Sequence, residues 1–367
     1  MRVLLLTTHL NIGGVAIYTI NLAKALKKQG LEVIVGSSGG ELVKILEKEN
    51  IPYLRLNVKT KFEFNPKLVL TLFKLLAFVK KNNIDIIHSQ TRVTQVLGCI
   101  AAKIGNIRYV STCHGFFKEK RLGRKIFGAW GDNAIAISDA VRDHLVKDFR
   151  VKKENVFLIY NGVDSEKFSS VINETEKGSF KSTLGIGKFP VIGSVTRLSP
   201  VKGLKYLLFA MKDILKVLPD VHLILVGEGP SKEYLMELAR KLGIEKSIFF
   251  ALSTTETERF LSIIDVFIFY SLEEGLGLSL LEAMASGRPC VASNVGGVSS
   301  IIEDGVTGLL VSPKDAHALK EAVLRLLGDR KLALTLAESA KALVKKKFSL
   351  ERMVKEVINV YERPLGQ

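Results

Sequence analysis

The sequence has 367 residues, of which 47% are hydrophobic and 25% are charged, and its formal net charge is +16 at pH 7. A chain of this length exceeds the usual size of one hydrophobic core, so two domains are expected, and the composition excludes a largely disordered protein. No apolar run reaches the roughly 18 residues of a membrane span, and Met1 leads into a strand pattern rather than a signal peptide.

Cysteine usage and the distribution of charge indicate the environment of the protein. Cys99, Cys113 and Cys290 lie far apart without a CxxC pair. This argues against a disulfide framework or a zinc site and fits the reducing cytoplasm. Residues 1–165 hold 26 Lys and Arg against 13 Asp and Glu, so the first half is expected to face an anionic partner.

Strand-like and helix-like patterns alternate through the first half, which indicates a parallel sheet with helical crossovers. The predicted strands are 3–7, 32–36, 53–56, 83–88, 109–113, 134–138 and 156–160, and the predicted helices are 15–28, 41–49, 66–81 and 139–149. Gly13 and Gly14 lie between the first strand and the first helix. Free backbone N–H groups at that place favour a phosphate, although a plain turn explains the pair as well.

Two basic segments of the first half allow more than one interpretation. The predicted helix 66–81 has an apolar stripe flanked by lysines, which suits a crossover helix with a solvated face and also a helix lying on a membrane. Segment 116–125 combines two phenylalanines with five cations. It is either a solvated loop or a site for an anionic lipid headgroup or a sugar phosphate.

His114 directly follows the predicted strand 109–113. Open α/β sheets place their ligands at the carboxyl ends of their strands, so His114 is a candidate site residue. A histidine with a purely structural role is the alternative.

The second half repeats the pattern after a polar segment, 165–188, which lacks periodicity and is predicted to be a linker. The predicted strands are 191–195, 221–226, 248–250, 263–269, 290–293 and 309–311, and the predicted helices are 204–218, 315–327, 332–346 and one from 348 onward. Arg197 and Lys202 flank the turn after the first of these strands, so both cations can converge on one anion. Unrelated surface charges are the alternative.

The stretch 271–308 carries the densest set of candidate residues and reads SLEEGLGLSLLEAMASGRPCVASNVGGVSSIIEDGVTG. Gly275 and Gly277 allow a ligand to approach the backbone, and Ser279 stands three positions before Glu282, the spacing of a capping box. A strand, a glycine turn and a helix N-terminus in this order form a natural anion site. The alternative is that the acids of the stretch only cap a helix or lie in solvent.

Glu274, Glu282 and the sequence Ala-Met-Ala-Ser-Gly at 283–287 resemble the signature of retaining glycosyltransferases of family 4, in which two glutamates eight residues apart precede Ala-Met-Ala-x-Gly. The resemblance extends over almost the whole chain and implies an α/β fold, GT-B, with two Rossmann-like α/β/α domains facing across a cleft. The implied parts are an acceptor-side domain over 1–164, a linker over 165–188 and a nucleotide-sugar-binding domain over 189–347. A final helix over 348–367 returns to the first domain.

The resemblance also implies roles for single residues. Arg197 and Lys202 match a clamp for the donor diphosphate. Glu274 matches a contact to hydroxyls of the donor sugar, Glu282 a contact to the ribose, and His114 a contact near the reacting carbon. The implied catalytic residues are His114, Arg197, Lys202 and Glu274. The implied donor-binding residues are Gly13, Gly14, Arg197, Lys202, Ala251, Leu252, Glu274, Gly275, Leu276, Gly277, Leu278 and Glu282.

Two positions depart from the family pattern. Gln90 stands where a second histidine is common, and Thr196 stands where glycine is frequent. The first departure leaves the contacts to the acceptor open.

The implied reaction transfers a hexosyl or N-acetylhexosaminyl group from a nucleotide diphosphate sugar, with a UDP-sugar as the first expectation, to a hydroxyl of a cell-envelope glycan or lipid-linked acceptor, with the anomeric configuration retained. No metal or other cofactor is expected, because the sequence has no Asp-x-Asp and its cations can stabilise the leaving diphosphate. The expected location is the cytoplasm, with peripheral contact of the first domain to an anionic membrane surface and no nucleic acid partner.

Three other functions would also use these residues. A glycosidase pair is disfavoured, because eight residues at helical rise separate Glu274 and Glu282 by about 12 Å, beyond the roughly 5–9.5 Å that such pairs need. A sugar-nucleotide epimerase of the same fold and a basic membrane- or nucleic-acid-binding module remain as alternatives.

Overall fold

The computed structural model describes residues 1–60, 65–117, 128–131, 133–169 and 172–363. The chain forms two compact units, one of Met1–Gly162 with Leu350–Gln367 and the other of Val163–Ser349. Each unit is built on a parallel sheet with helical crossovers, as the alternating sequence pattern predicts.

The sheet of the first unit has seven parallel strands in the order β3-β2-β1-β4-β5-β6-β7. The strands are β1 Arg2–Leu6, β2 Glu32–Ser37, β3 Tyr53–Arg55, β4 Ile86–Ser89, β5 Arg108–Cys113, β6 Ala134–Ala136 and β7 Val156–Leu158. They are almost wholly buried, because helices cover both faces of a parallel sheet. The strand order reverses between β1 and β4, and such a switch point is where doubly wound sheets bind ligands.

The helices of the first unit are α1 Gly14–Lys28, α2 Val43–Lys48, α3 Lys67–Lys81, α4 Arg92–Gly105 and α5 Asp139–Lys147. Alternate residues of β1 pack on opposite layers: Val3 and Leu5 lie in the same core cluster as α1, and Leu4 and Leu6 lie with α3 and α4. Helix α4 has no counterpart among the predicted helices. Its buried residues include the polar side chains Arg92, Thr94 and Gln95, so polar residues do not mark its exposed face and the usual apolar-in, polar-out pattern is weakened.

The sheet of the second unit has six parallel strands in the order β10-β9-β8-β11-β12-β13, with its switch point between β8 and β11. The strands are β8 Val191–Val195, β9 His222–Val226, β10 Ile248–Ala251, β11 Val266–Phe269, β12 Cys290–Ser293 and β13 Leu309–Val311. The strand predicted over 263–269 is corrected by this assignment, since Ile263 ends a helix. A continuous apolar run does not separate a buried strand from the end of a buried helix.

The helices of the second unit are α6 Ser165–Ser169, α7 Glu174–Thr183, α8 Leu204–Leu215, α9 Lys232–Leu242, α10 Thr257–Ile263, α11 Leu278–Ala285, α12 Ala316–Gly328 and α13 Arg330–Lys347. Helices α6 and α7 occupy the segment predicted to be a linker, and that prediction is corrected, because the segment is part of the second unit. The Asn173 side chain caps α7 by accepting from the Glu176 N–H at 2.8 Å, and Phe180 packs edge-on against Phe260. Two short helices with few apolar anchors leave too little periodicity for recognition in the sequence.

The last helix, α14 Leu350–Tyr361, belongs to the first unit. It buries Met353, Val354, Val357, Val360 and Tyr361, which share a core cluster with α1. The helix starts two residues later than predicted, since the Phe348 carbonyl accepts from the Val163 N–H within the second unit at 2.9 Å. Within the described residues, no helix combines the length and apolar character needed to cross a membrane.

Candidate functional site

Two turns of the second unit come together at its switch point. The turn after β8 contains Lys202 and the turn after β11 contains Glu274, and neighbouring parallel strands bring both to one sheet edge. The Leu272 N–H donates to the Val201 carbonyl at 2.7 Å, which joins the turns through their backbones. The Lys202 ammonium forms an ion pair with the Glu274 carboxylate, with side chains 18% and 16% exposed. The structure therefore joins two predicted site residues that lie far apart in the sequence.

The Lys202 side chain lies over an aromatic ring. Its ammonium lies 5.5 Å from the centroid of Phe269, the last residue of β11. Gly277 packs against the same ring, and a Cβ on Gly277, which has φ +113°, would lie 2.9 Å from the ring. Glycine is thus required there for both conformation and space. The ring fixes the position of the cation relative to the start of α11.

Helix α11 begins differently from the prediction. Gly277 is its N-cap and, among the described residues, no side chain caps its first N–H groups, so the capping box predicted from Ser279 and Glu282 is wrong. Gly275, Leu276 and Gly277 are buried, and Leu278 is half-buried. The first N–H groups of the helix are therefore free of a side-chain cap. Helix N-termini that bind anions have such uncapped N–H groups.

Arg197 lies in the same turn as Lys202 and is exposed. Its backbone is supported by the turn after β9, where a Cβ on Gly227 would lie 1.9 Å from the Thr196 carbonyl oxygen and one on Gly229 2.3 Å from the Leu198 carbonyl oxygen. These two glycines were not among the predicted site residues. Their signal is the Gly-Glu-Gly that follows a predicted strand, a place where close backbone approach often requires glycine.

Glu282 is buried on the first turns of α11. The Thr257 hydroxyl donates to its carboxylate at 3.3 Å, and burial raises the pKa of Glu282 to about 7, with the nearby Lys167 ammonium opposing the shift. Lys167 lies in the segment predicted to be a linker, and no local sequence pattern pairs it with this acid. A buried carboxylate with a raised pKa is typical of a functional position.

Ala251 and Leu252 lie at the carboxyl end of β10. The Ala251 carbonyl accepts from the Gly227 N–H at 3.0 Å, and the Leu252 side chain is exposed. The turn thus presents an apolar side chain at the same edge of the sheet as Lys202.

Gly13 and Gly14 lie at the switch point of the first unit, between β1 and α1. Helix α1 starts at Gly14 with no side-chain cap, and a Cβ on Gly14 would meet no atom of the described residues within 4 Å. The loop is braced by Gly40, whose added Cβ would lie 2.2 Å from the backbone of Leu10. Open backbone at a helix start fits the predicted anion contact.

His114 follows β5 and is hydrogen-bonded to Gln90, which follows the neighbouring β4. The His114 Nε2 atom lies 2.9 Å from the Gln90 Oε1 atom. In this orientation of the Gln90 amide the oxygen can only accept, so Nε2 carries the proton and Nδ1 keeps its lone pair. Burial lowers the pKa of His114 to about 3, and the Tyr18 ring packs edge-on at 4.7 Å. Gln90, the departure from the family pattern, therefore sets the tautomer of a neutral His114.

His88 has a structural role in the same unit. Its Nδ1 lies 2.6 Å from the Tyr361 hydroxyl and its Nε2 lies 2.7 Å from the Thr112 hydroxyl. Burial lowers its pKa to about 3. The neutral ring ties α14 to the sheet directly behind the His114 loop.

The basic segment 116–125 is described only at its start. The Phe117 N–H donates to His144 Nε2 at 2.9 Å, and Phe116 packs on the same imidazole. Residues 118–125, which carry the five cations, lie outside the described residues, and their predicted contact to an anionic headgroup or sugar phosphate stays a prediction.

The two halves match two family models in tandem. Residues 12–167 match the model described as Glycosyltransferase Family 4, and residues 176–343 match the model described as Glycosyl transferases group 1. The matches together account for most of the chain and follow the order that the motifs predict. The protein belongs to glycosyltransferase family 4.

Individual relatives agree with this membership. The chain is 29% identical to the uncharacterized glycosyltransferase MJ1607 of Methanocaldococcus jannaschii, over 96% of this chain and 94% of that protein. It is also 29% identical to an Escherichia coli UDP-Gal:alpha-D-GlcNAc-diphosphoundecaprenol alpha-1,3-galactosyltransferase, over 80% of this chain and 79% of that enzyme.

Solved structures show the same fold. A glycosyltransferase from Rickettsia africae ESF-5 superposes with a TM-score of 0.86 at 26% identity, covering 98% of this chain and 97% of that one. Anabaena HepE, solved with UDP and glucose, superposes with a TM-score of 0.88 at 24% identity, covering 99% of this chain and all of that one. The fold is GT-B, as predicted.

Proposed function

We propose that the protein transfers a hexosyl or N-acetylhexosaminyl group from a UDP-sugar to an acceptor hydroxyl, with retention of anomeric configuration and without a metal ion. The observation that carries the proposal is the Lys202–Glu274 pair at the switch point of the second sheet, beside the uncapped start of α11. This arrangement places a cation, backbone N–H groups and a carboxylate within one small area.

These groups suit the parts of a nucleotide sugar. A diphosphate would contact Lys202, the first N–H groups of α11 and the exposed Arg197, whose fork can hold two oxygens. Glu274 would accept hydrogen bonds from sugar hydroxyls, and Glu282 would accept from the ribose. The buried position of Glu282 strengthens such bonds, because water does not compete for the carboxylate.

The chemical step needs stabilisation of the leaving diphosphate. Fixed cations and helix N–H groups provide a preorganised positive field, and loss of one such donor typically costs about 3 kcal/mol of barrier. This field is the support for metal independence, together with the lack of Asp-x-Asp in the sequence. We assign no protein nucleophile: the acceptor attacks on the face from which the diphosphate leaves, and the donor phosphate takes its proton.

The choice of UDP and of a lipid-linked acceptor is supported by one relative. The Escherichia coli enzyme, by its name, uses UDP-Gal and a diphosphoundecaprenol acceptor. A cell-envelope acceptor of this kind lies in a membrane, so the enzyme must reach the membrane surface.

Helix α3 of the first unit presents a surface that suits this contact. Val69, Leu70 and Phe73 are 53%, 78% and 65% exposed, and the helix contains lysines but no acidic residue. The crossover helix starts after β3, so these residues lie towards the carboxyl edge of the sheet, where Gly13 and His114 also lie. We therefore propose peripheral binding to an anionic membrane through α3.

Donor binding and product analysis test the function. UDP-, GDP- and ADP-sugars are screened by thermal shift, and the product formed with lipid-extract acceptors is analysed by NMR in the presence of EDTA. We expect stabilisation by UDP-sugars and a product with the donor's anomeric configuration. Conversion of the donor without acceptor would instead indicate an epimerase. If neither the wild type nor Arg197→Ala binds any of these nucleotide sugars, the protein is a membrane- or nucleic-acid-binding module instead.

A further inference from the structure

The ammonium that suits the diphosphate already has an anionic partner. Lys202 is paired with Glu274, and both side chains are largely shielded from water. In such surroundings an ion pair is stronger than on an open surface, because solvent screens it less. A phosphate that approaches Lys202 must therefore compete with the Glu274 carboxylate.

The backbones of both partners are held by neighbouring turns. Lys202 ends a 3-10 turn whose backbone is bound to the turn after β11, and its ammonium lies over the Phe269 ring. The backbone carbonyl of Glu274 accepts from the Gly297 N–H at 3.0 Å. With both backbones held, the Glu274 carboxylate remains within reach of the Lys202 ammonium and of any phosphate that it binds.

The effect of the carboxylate depends on whether the nucleotide carries a sugar. Sugar hydroxyls can donate to Glu274 and replace part of its bond to Lys202. A bare nucleoside diphosphate has no such donors and carries an additional negative charge on its terminal phosphate, so it leaves Glu274 facing an anion.

We propose that Glu274 is a built-in competitor for Lys202, through which the site binds a nucleotide sugar in preference to the same nucleotide without its sugar. The consequence is release of the nucleotide product after transfer. This inference rests on the proposed function, because it takes the nucleotide diphosphate to be the anion that Lys202 binds.

The test measures affinities for UDP and UDP-glucose by calorimetry in four proteins: the wild type, Glu274→Gln, Lys202→Met and the double variant. In Glu274→Gln we expect UDP to bind about 10-fold more tightly, the order of one charge-assisted hydrogen bond, while UDP-glucose gains nothing or loses affinity. In the Lys202→Met background, Glu274→Gln should change UDP affinity by less than about 2-fold, because the competition acts through the lysine.

Two results would overturn the inference. One is unchanged or weaker UDP binding in Glu274→Gln, and the other is equal tightening with and without Lys202, which would reduce the effect to general charge repulsion. Glu274→Ala should tighten UDP in the same direction and replaces Glu274→Gln if that variant does not fold.

The controls separate this inference from the proposed function. A wild type that binds UDP and transfers a sugar, but whose Glu274→Gln variant binds UDP no better, contradicts the competition alone. A wild type that binds no nucleotide diphosphate contradicts both.

Discussion

At the scale of single residues, burial decides how the candidate acids and bases ionise. Glu282 keeps a carboxyl group in the core of the second unit, where burial raises its pKa to about 7. Folding a chain around such a group costs free energy once the group must ionise. Its presence in spite of that cost supports a binding role rather than a structural one.

Glu282→Gln should stabilise the protein in a pH-dependent way. Below pH 4.5 the carboxyl is protonated in folded and unfolded chains alike, so its ionisation does not change the free energy of unfolding. Between pH 4.5 and 7 the unfolded chain loses the proton first, so stability of the wild type falls as pH rises, and above pH 7 the loss is complete. The free energy of unfolding of the variant should therefore exceed that of the wild type by up to about 3 kcal/mol at pH 8 and should equal it at pH 4, as measured by urea unfolding.

The exposed Glu273 provides the matched control. Glu273→Gln makes the same change of side chain at an exposed position in the loop that precedes α11, and it therefore controls for the substitution itself. A gain for Glu282→Gln that is equally large at pH 4 would show that better packing, not ionisation, is its cause.

Gln90→Glu should make activity depend on His114 protonation. A carboxylate placed 2.9 Å from Nε2 favours the imidazolium, which presents an Nδ1–H donor where the wild type presents a lone pair. Because His114 of the wild type has a pKa of about 3, its protonation should not lower activity between about pH 5 and 8. The variant, in contrast, should lose activity as the pH falls towards 5.

Gln90→Met serves as the uncharged control for this experiment and should add no acidic limb to the pH–rate profile. The tautomer itself is measured by 15N NMR of the histidine rings. A proton on Nδ1 of His114 in the wild type would contradict the assignment of Gln90 as its acceptor.

At the scale of elements, α3 carries a surface that its packing does not use. Leu68, Leu75 and Val79 fill the core under the sheet, and the opposite face exposes Val69, Leu70 and Phe73. A helix needs only one apolar face to pack on a sheet, so a second one indicates another partner.

Leu70→Ser with Phe73→Ser should weaken binding to vesicles that contain anionic phosphatidylglycerol by more than about 10-fold, because two exposed apolar side chains no longer enter the interface. Sedimentation with vesicles measures this, and raised salt should weaken the wild type further by screening the lysines. Leu334→Ser in the second unit removes an apolar side chain that is 53% exposed and should have no effect. Equal vesicle binding by all three proteins would rule out α3 as the docking surface.

Element boundaries also show which parts of the fold were predictable. Strands such as β1 and β12 appear where apolar runs end in glycine turns. The position after a strand identifies Arg197 and Lys202 as candidates, and the resemblance of the stretch 271–308 to the family signature identifies Glu274. The pairing of Lys202 with Glu274, however, depends on β8 and β11 being neighbours, which no local pattern contains. The Glu282–Thr257 bond escaped prediction for a related reason, since a contact between distant segments leaves no local pattern, and α4 escaped because it buries polar residues such as Arg92 and Gln95.

At the scale of the whole molecule, the chain returns to complete its first unit. The two units are separate in sequence except for α14, which follows the second unit in the chain and belongs to the first. The sheet of the first unit therefore lacks part of its covering layer until α14 has been synthesised. Folding of the first unit should depend on α14, whereas folding of the second should not.

Truncation after Ser349 should unfold the first unit and spare the second. Five buried side chains of α14 are lost with the truncation, and at about 1.5–3 kcal/mol for each, their burial approaches or exceeds the whole stability of a typical domain. Hydrogen exchange should then show loss of protection in β1, β2 and β4 and unchanged protection in β8 and β11. Tyr361→Phe removes only the hydroxyl that bonds to His88 and should leave both units folded. Retained protection of β1 in the truncated chain would mean that α1 and the sheet form a stable core without the returning helix.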